Sequence, residues 1–170
     1  MNIFVTHPNY EKAAKYLDIK RQNKMLIESV QMLSTAVQYH GGIVIYKPTH
    51  VNHPCNVWVR ENVHNFLWLE AYALHLSKRY LLRTGKTHAS GKILLNTDLH
   101  DQALELITHG QGLTPFVNCT SDYKDVESVY DAYKLQLLLK WENDTHPPRF
   151  DGDFEDVYEE FERVRQLYLA

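Results

Sequence analysis

Apolar residues recur along most of the chain at intervals of three and four, the repeat of a helix with one buried face. The pattern is densest between Pro54 and Gly85. At about 100° per residue, Val63, Leu67, Leu74 and Leu81 share one side of this stretch, and Leu69, Ala73, Leu76 and Tyr80 a second. A helix apolar on two sides is buried, so the spacing predicts a long central helix, ended by Gly85 where a left-handed residue is usual. Its first turns, Pro54 to Arg60, can be kinked or separate from the part after Glu61. Its third side carries Asn65, Tyr72, Arg79 and Arg83 at spacings of seven, seven and four. A polar stripe on a buried helix needs internal partners or a solvent-filled pocket.

The same pattern predicts a helix from Ile19 to about Tyr39, capped by Asp18 and stopped by Gly41-Gly42, with Leu26, Val30, Leu33 and Val37 inward. A short helix starting at His7-Pro8 precedes it, after an arm or strand at residues 2–6. IVIYK at 43–47 is the best strand candidate, although no pairing partner is visible. Further on come a short segment at Ser90 to Leu95, a helix near Asp98 to Thr108, and an irregular loop, GLTPFVNCTSDYK. A helix at about Val126 to Trp141 follows, broken by Pro147-Pro148. The last helix, Asp153 to Leu169, is acidic, with Phe154, Val157, Tyr158 and Phe161 inward. The expected class is all-α, a compact helical bundle in one domain spanning residues 1–170.

Charge sharpens this outline. The net charge of −3 hides an uneven distribution: residues 1–100 hold twelve Lys or Arg against six acids, and residues 101–170 six against fifteen. Eight of the ten histidines also fall in the first hundred. Two arrangements are open: a basic face suited to phosphate, or two halves whose charges neutralise each other across their contact. The chain shows no apolar run long enough to span a bilayer and no signal-peptide pattern, and its two cysteines form no disulfide framework. A cytoplasmic protein is expected, in the host cell if phage-encoded, with no membrane partner.

Three groups of side chains carry candidate chemistry. Lys20, Arg21 and Lys24, with Arg79, Arg83, Lys86 and His88, suit phosphate, although basic groups near a helix end also bind that helix's own carbonyls. His50, His53, Trp58, Arg60, Asn62, Asn65 and Tyr72 are the candidate lining of a base or sugar pocket. The competing reading makes the asparagines local caps and Arg60-Glu61 a surface ion pair. Glu28 and Glu61 are the carboxylates of the basic half available as acid or base, with a Lys24 salt bridge as the alternative role of Glu28. His50-x-x-His53 with Cys55 suggests zinc ligands, but no second Cys or His pair stands at standard spacing, so neither a metal nor any other cofactor is expected.

The segments THPNY…DIKRQNKMLIESVQML, YKPTHVNHPCNVWVRENVHNFLWL, KRYLLRTGKTHAS and LTPF resemble an uncharacterised family of small phage and bacterial proteins, with HP-C-x-x-W-x-R-E and R-x-G-K-x-H signatures. The order of HPxY, a basic helix, NHP and a long helix with an arginine near its end also resembles the pyrimidine-dimer DNA glycosylases of the endonuclease V type. That resemblance implies a compact all-α fold that grips duplex DNA, flips a nucleotide out and cleaves its glycosidic bond. It implies an N-terminal amine nucleophile, freed by removal of Met and assisted by a glutamate beside a basic residue on an early helix. Here residue 2 is Asn2, before which Met is normally retained. Gln22 follows Arg21 where the family shows the glutamate, and Glu28 comes between one and two turns later.

The leading expectation is a phage-type DNA-processing protein that performs N-glycosidic cleavage, or a transfer, at a modified or damaged base. The alternatives are a non-catalytic binder that sequesters a small signalling nucleotide, with DNA or that nucleotide as the partner, and an interaction module using the acidic C-terminal helix.

Overall fold

Asn62 divides the long helical region. Its backbone is extended (φ −156°, ψ 167°), so it ends one helix and caps the next, its side chain accepting the Asn65 N–H at 3.0 Å. In the computed structural model, which describes residues 1–152 and 155–170, the chain forms eight helices among the described residues and no strand. They are α1 (Tyr10–Lys15), α2 (Ile19–Tyr39), α3 (Pro54–Glu61), α4 (Val63–Thr84), α5 (Ala89–Leu95), α6 (Asp98–Leu106), α7 (Val129–Asn143) and α8 (Glu155–Tyr168). The all-α expectation holds.

α2 and α4 pack on each other, with α1 on α4 and α3 against both. The predicted inner face of α2, Leu26, Val30, Leu33 and Val37, is fully buried, and Asp18 caps that helix through the Arg21 N–H. On α4 the second predicted side holds, with Leu69, Ala73 and Leu76 in the core. The first side holds only at its start, since Leu74 and Leu81 are exposed. Leu74 stands between buried Ala73 and Leu76, so it is the face, not the position along α4, that is left uncovered there. Gly85 closes it at φ 71° with its N–H on the Leu81 carbonyl. α7 is buried on every side from Asp131 to Leu138.

The first six residues form an extended arm instead of a strand. Ile3 to Thr6 are buried, and the Tyr72 hydroxyl donates to the Ile3 carbonyl at 2.8 Å, which fixes the arm to α4. Residues 43–47 are not a strand either. Ile43 and Ile45 are exposed, and the Gln102 amide takes the place of a partner strand by bonding both the N–H and the C=O of Ile43 at 2.8 Å. α1 starts at Tyr10, later than predicted, because Asn9 caps it through the Lys12 N–H. α7 likewise starts at Val129, capped by Ser128. On α8, Val157 and Phe161 are buried while Tyr158 is exposed. The expected helix start at Asp153 and the inward Phe154 lie outside the described residues.

The two halves meet through opposite charges. Lys15 pairs with Asp156 at 2.8 Å, Arg21 with Asp144, and Arg79 and Arg83 with Asp151 at 3.0 and 3.1 Å. Neutralisation across the contact therefore accounts for much of the uneven charge. No helix among the described residues is long and apolar enough to cross a membrane.

Candidate active site at the N-terminal arm

The arm delivers the start of the chain to the polar face of α2. There the Asn2 backbone N–H donates to the Glu28 carboxylate at 3.1 Å, and Lys24 stands one turn from Glu28 at 3.9 Å. Met1, Asn2, Phe4, Lys20, Arg21, Lys24, Met25, Glu28 and Lys140 enclose a cavity of about 280 Å³. Lys20, Arg21, Lys24 and Lys140 share this pocket with Glu28, and Asp144 pairs with both Lys20 and Arg21. The arm's path is set locally. Asn2 Oδ1 accepts the Phe4 N–H at 3.0 Å, which holds Phe4 at φ 51°, a left-handed conformation rare for a bulky residue.

α3 forms the second boundary. Asn56 is buried and its Nδ2 donates to the carbonyls of Thr49 (2.9 Å) and His50 (2.8 Å) and contacts Met1 Sδ at 3.2 Å. His53 caps α3 through the Cys55 N–H at 3.1 Å. Burial lowers the His53 pKa, helped by the charges of the N-terminal ammonium and His50 and opposed by Glu28.

The predicted site residues divide into several places. Glu28, Lys20, Arg21 and Lys24 meet at the N-terminus, with His53 within electrostatic reach. Lys20 and Lys24 are solvent-exposed, whereas Arg21 is buried and bonded to Asp18 and Asp144. Arg79 and Arg83 line a different cleft, with Asp151 between them, and Arg83 also donates to Gln22 and Asn23. Lys86 is exposed after α4, and His88 caps α5 through the Ser90 N–H. Glu61 is exposed and accepts from the Thr114 hydroxyl at 3.1 Å, apart from the N-terminus.

The polar side chains of α3 and α4 are mostly engaged inside the fold. Trp58 is buried beside Trp68 and Phe116. Asn65 donates to the Trp58 carbonyl and to Thr114, and accepts the Thr114 N–H. Tyr72 is fully buried with its hydroxyl on Ile3. Arg60 bonds the Val51 carbonyl and lies 4.0 Å over the Tyr39 ring. His50 is exposed with φ 47°, its carbonyl holding Asn56 and the His53 N–H. The stripe on α4 therefore has internal partners, one of the two arrangements its burial allowed.

Gln22 does not take the place of a carboxylate at the amine. It is buried, donates to the Leu17 carbonyl and Asp151, and accepts from Arg83. Glu28 is the acid at the arm. Sequence reasoning missed Lys140, Asn56, Asp144 and Asp151, all brought in by contacts across large separations. It also missed Cys119, whose Sγ lies 3.3 Å from Cys55 Sγ across 64 positions. The hydrogen bond from the Cys55 thiol draws the Cys119 thiol down to about 7, while that bond and burial push Cys55 up.

No curated protein and no solved structure matches the chain. A family model described as pyrimidine dimer DNA glycosylase matches residues 1–92. That span is more than half of the 170 residues and contains the arm, Glu28, His53 and all of α4. The chain belongs to the pyrimidine dimer DNA glycosylase family.

Proposed function

We propose that this protein cleaves the N-glycosidic bond of a dimerised or otherwise damaged pyrimidine in DNA, with the N-terminal amine as nucleophile and Glu28 as its acid–base partner. The observation that carries this reading is the 3.1 Å contact between the nitrogen of residue 2 and the Glu28 carboxylate, in a pocket lined by Lys20, Lys24 and Lys140. Met is normally retained before Asn, so the reading requires chains from which Met1 is nevertheless removed: in these, the same nitrogen is the free α-amine of Asn2 and the slot beside Asn56 is open. Glu28 then accepts a proton from the ammonium. The neutral amine forms a bond to sugar C1′ as the C1′–base bond breaks, and the electron pair leaves with the base. Sugar-ring opening yields an iminium that water hydrolyses. Lys20 and Lys24, exposed at the rim, take backbone phosphates, and Lys86 is a more distant contact.

The test is borohydride reduction during reaction with a duplex that contains a pyrimidine dimer, followed by intact-mass and peptide analysis. The expected result is a protein–DNA adduct on the α-nitrogen of Asn2 in chains that have lost Met1. No adduct, or an adduct on a lysine side chain, overturns the assignment.

A further inference from the structure

Three donors that do not enter the glycosylase reading come together behind the arm. His53 and Cys55 belong to the start of α3 and Cys119 to the loop before α7, yet one ligand atom from each lies within 4.8 Å of the other two. Donors bound at about 2.0–2.3 Å to one zinc ion are separated by roughly 3.5–3.8 Å in a tetrahedral site. The two sulfurs, at 3.3 Å, need to open by a few tenths of an ångström, and the histidine, whose ligand atom lies within 4.8 Å of both, needs to close by up to about 1 Å. We propose that His53, Cys55 and Cys119 form a three-ligand site for a thiophilic divalent cation, Zn²⁺ in the first instance, with a fourth position open on the Cys119 side.

The donor set suits that ion. Thiolate and imidazole are its preferred ligands, and carboxylate-seeking ions such as Mg²⁺ and Ca²⁺ are disfavoured. Charge also balances: two thiolates and a neutral imidazole around a divalent ion leave no net charge, which matters because Cys55 is fully buried. Cys119 is half-buried, so solvent reaches its side of the cluster. One support is built in. The Tyr133 hydroxyl accepts the Cys119 N–H at 3.0 Å and donates to the Val117 carbonyl at 2.7 Å, holding the loop. The ring of His53 is oriented by its Nδ1 contact with the Cys55 N–H, and coordination through that atom exchanges the cap for a metal bond. The ion joins the 107–128 loop to α3, next to the Asn56 slot for Met1.

The test uses the full chain, reduced and chelator-treated, titrated anaerobically with Co²⁺ and then Zn²⁺. One equivalent of Co²⁺ is expected to give thiolate-to-cobalt charge-transfer absorption and tetrahedral d–d bands, both displaced by Zn²⁺. A hundredfold excess of Zn²⁺ over its Kd should raise the thermal midpoint by roughly 5–10 °C. Cys119→Ser, at the half-buried position, should retain helical circular dichroism and lose the charge-transfer bands. His53→Ala should weaken Co²⁺ binding at least tenfold. Absent bands in the parent chain, or equal Co²⁺ affinity in Cys119→Ser, overturns the proposal. So does conversion of the two thiols to a disulfide, with loss of two hydrogens and no retained ion. None of these readouts depends on glycosylase activity.

Discussion

Asn2 and Glu28 are joined by a 3.1 Å hydrogen bond from backbone nitrogen to carboxylate, across 26 positions of sequence. An amide nitrogen needs no carboxylate to neutralise it, but an α-amine formed at the same atom does. The proposed mechanism uses that second pairing. Glu28→Gln retains an oxygen that accepts the Asn2 N–H, so the fold should persist while proton transfer is lost. Turnover on a dimer-containing duplex should fall by about 10²–10⁴, with the thermal midpoint little changed. Single-turnover kinetics beside a melting curve checks this, and a variant that is equally active removes Glu28 from the chemistry.

Tyr72 locks the arm from below. Its hydroxyl is fully buried and donates to the Ile3 carbonyl at 2.8 Å. Tyr72→Phe leaves that carbonyl without its donor, at a cost of about 1–3 kcal/mol. The arm's amides should also exchange faster with solvent, because the hydroxyl fastens residue 3 to α4. Denaturant unfolding gives the first number and hydrogen exchange of residues 3–6 the second; unchanged protection would show the arm held by apolar packing alone.

The basic residues separate by exposure. Lys20 and Lys24 have side chains 71 % and 65 % exposed, and pairs at such positions contribute little to stability. Arg83 is mostly buried and bonded to Gln22, Asn23 and Asp151. Replacing either lysine by alanine should reduce the slope of log K against log salt for duplex binding by about 0.9 and leave stability near its original value. Arg83→Ala should instead cost about 2–3 kcal/mol of stability, since Asp151 loses a partner in a half-buried cluster. DNA titrations at several salt concentrations, paired with unfolding curves, distinguish the two behaviours.

What was legible in the sequence was local. The inner face of α2, the Asp18 cap and the Gly85 stop each depend on residues within a few positions of one another, and each is found where the pattern puts it. The 43–47 segment misled because alternation and β-branching describe a strand only when another strand accepts its bonds, and Gln102 takes that role here. The polar stripe on α4 was recognised, but its partners could not be: Ile3 for Tyr72, Asp151 for Arg79 and Arg83, Thr114 for Asn65. Long-range contacts leave no spacing to read. The same holds for Cys119, which has no counterpart near it in sequence and meets Cys55 only through the fold.

Acid should weaken the α7–α8 contact. Lys134 is buried in α7, and Glu160 of α8 bonds both it and Arg163, while Asp131 bonds the same two cations. Burial alone would raise the Glu160 pKa, but its bonds to Arg163 and Lys134 outweigh that and hold it at about 2, below the ordinary 4.5. A carboxylate whose pKa is depressed by folding contributes stability above its unfolded pKa, and that contribution is lost as pH falls through the folded value. The stabilisation should therefore be complete at neutral pH and decline between about pH 4.5 and pH 2. Glu160→Gln should cost about 2 kcal/mol at pH 7, because Lys134 keeps Asp131 as a partner, and should flatten the pH dependence across that window. Urea unfolding at a series of pH values measures both, and an equal acid slope in the variant would assign the sensitivity to other carboxylates.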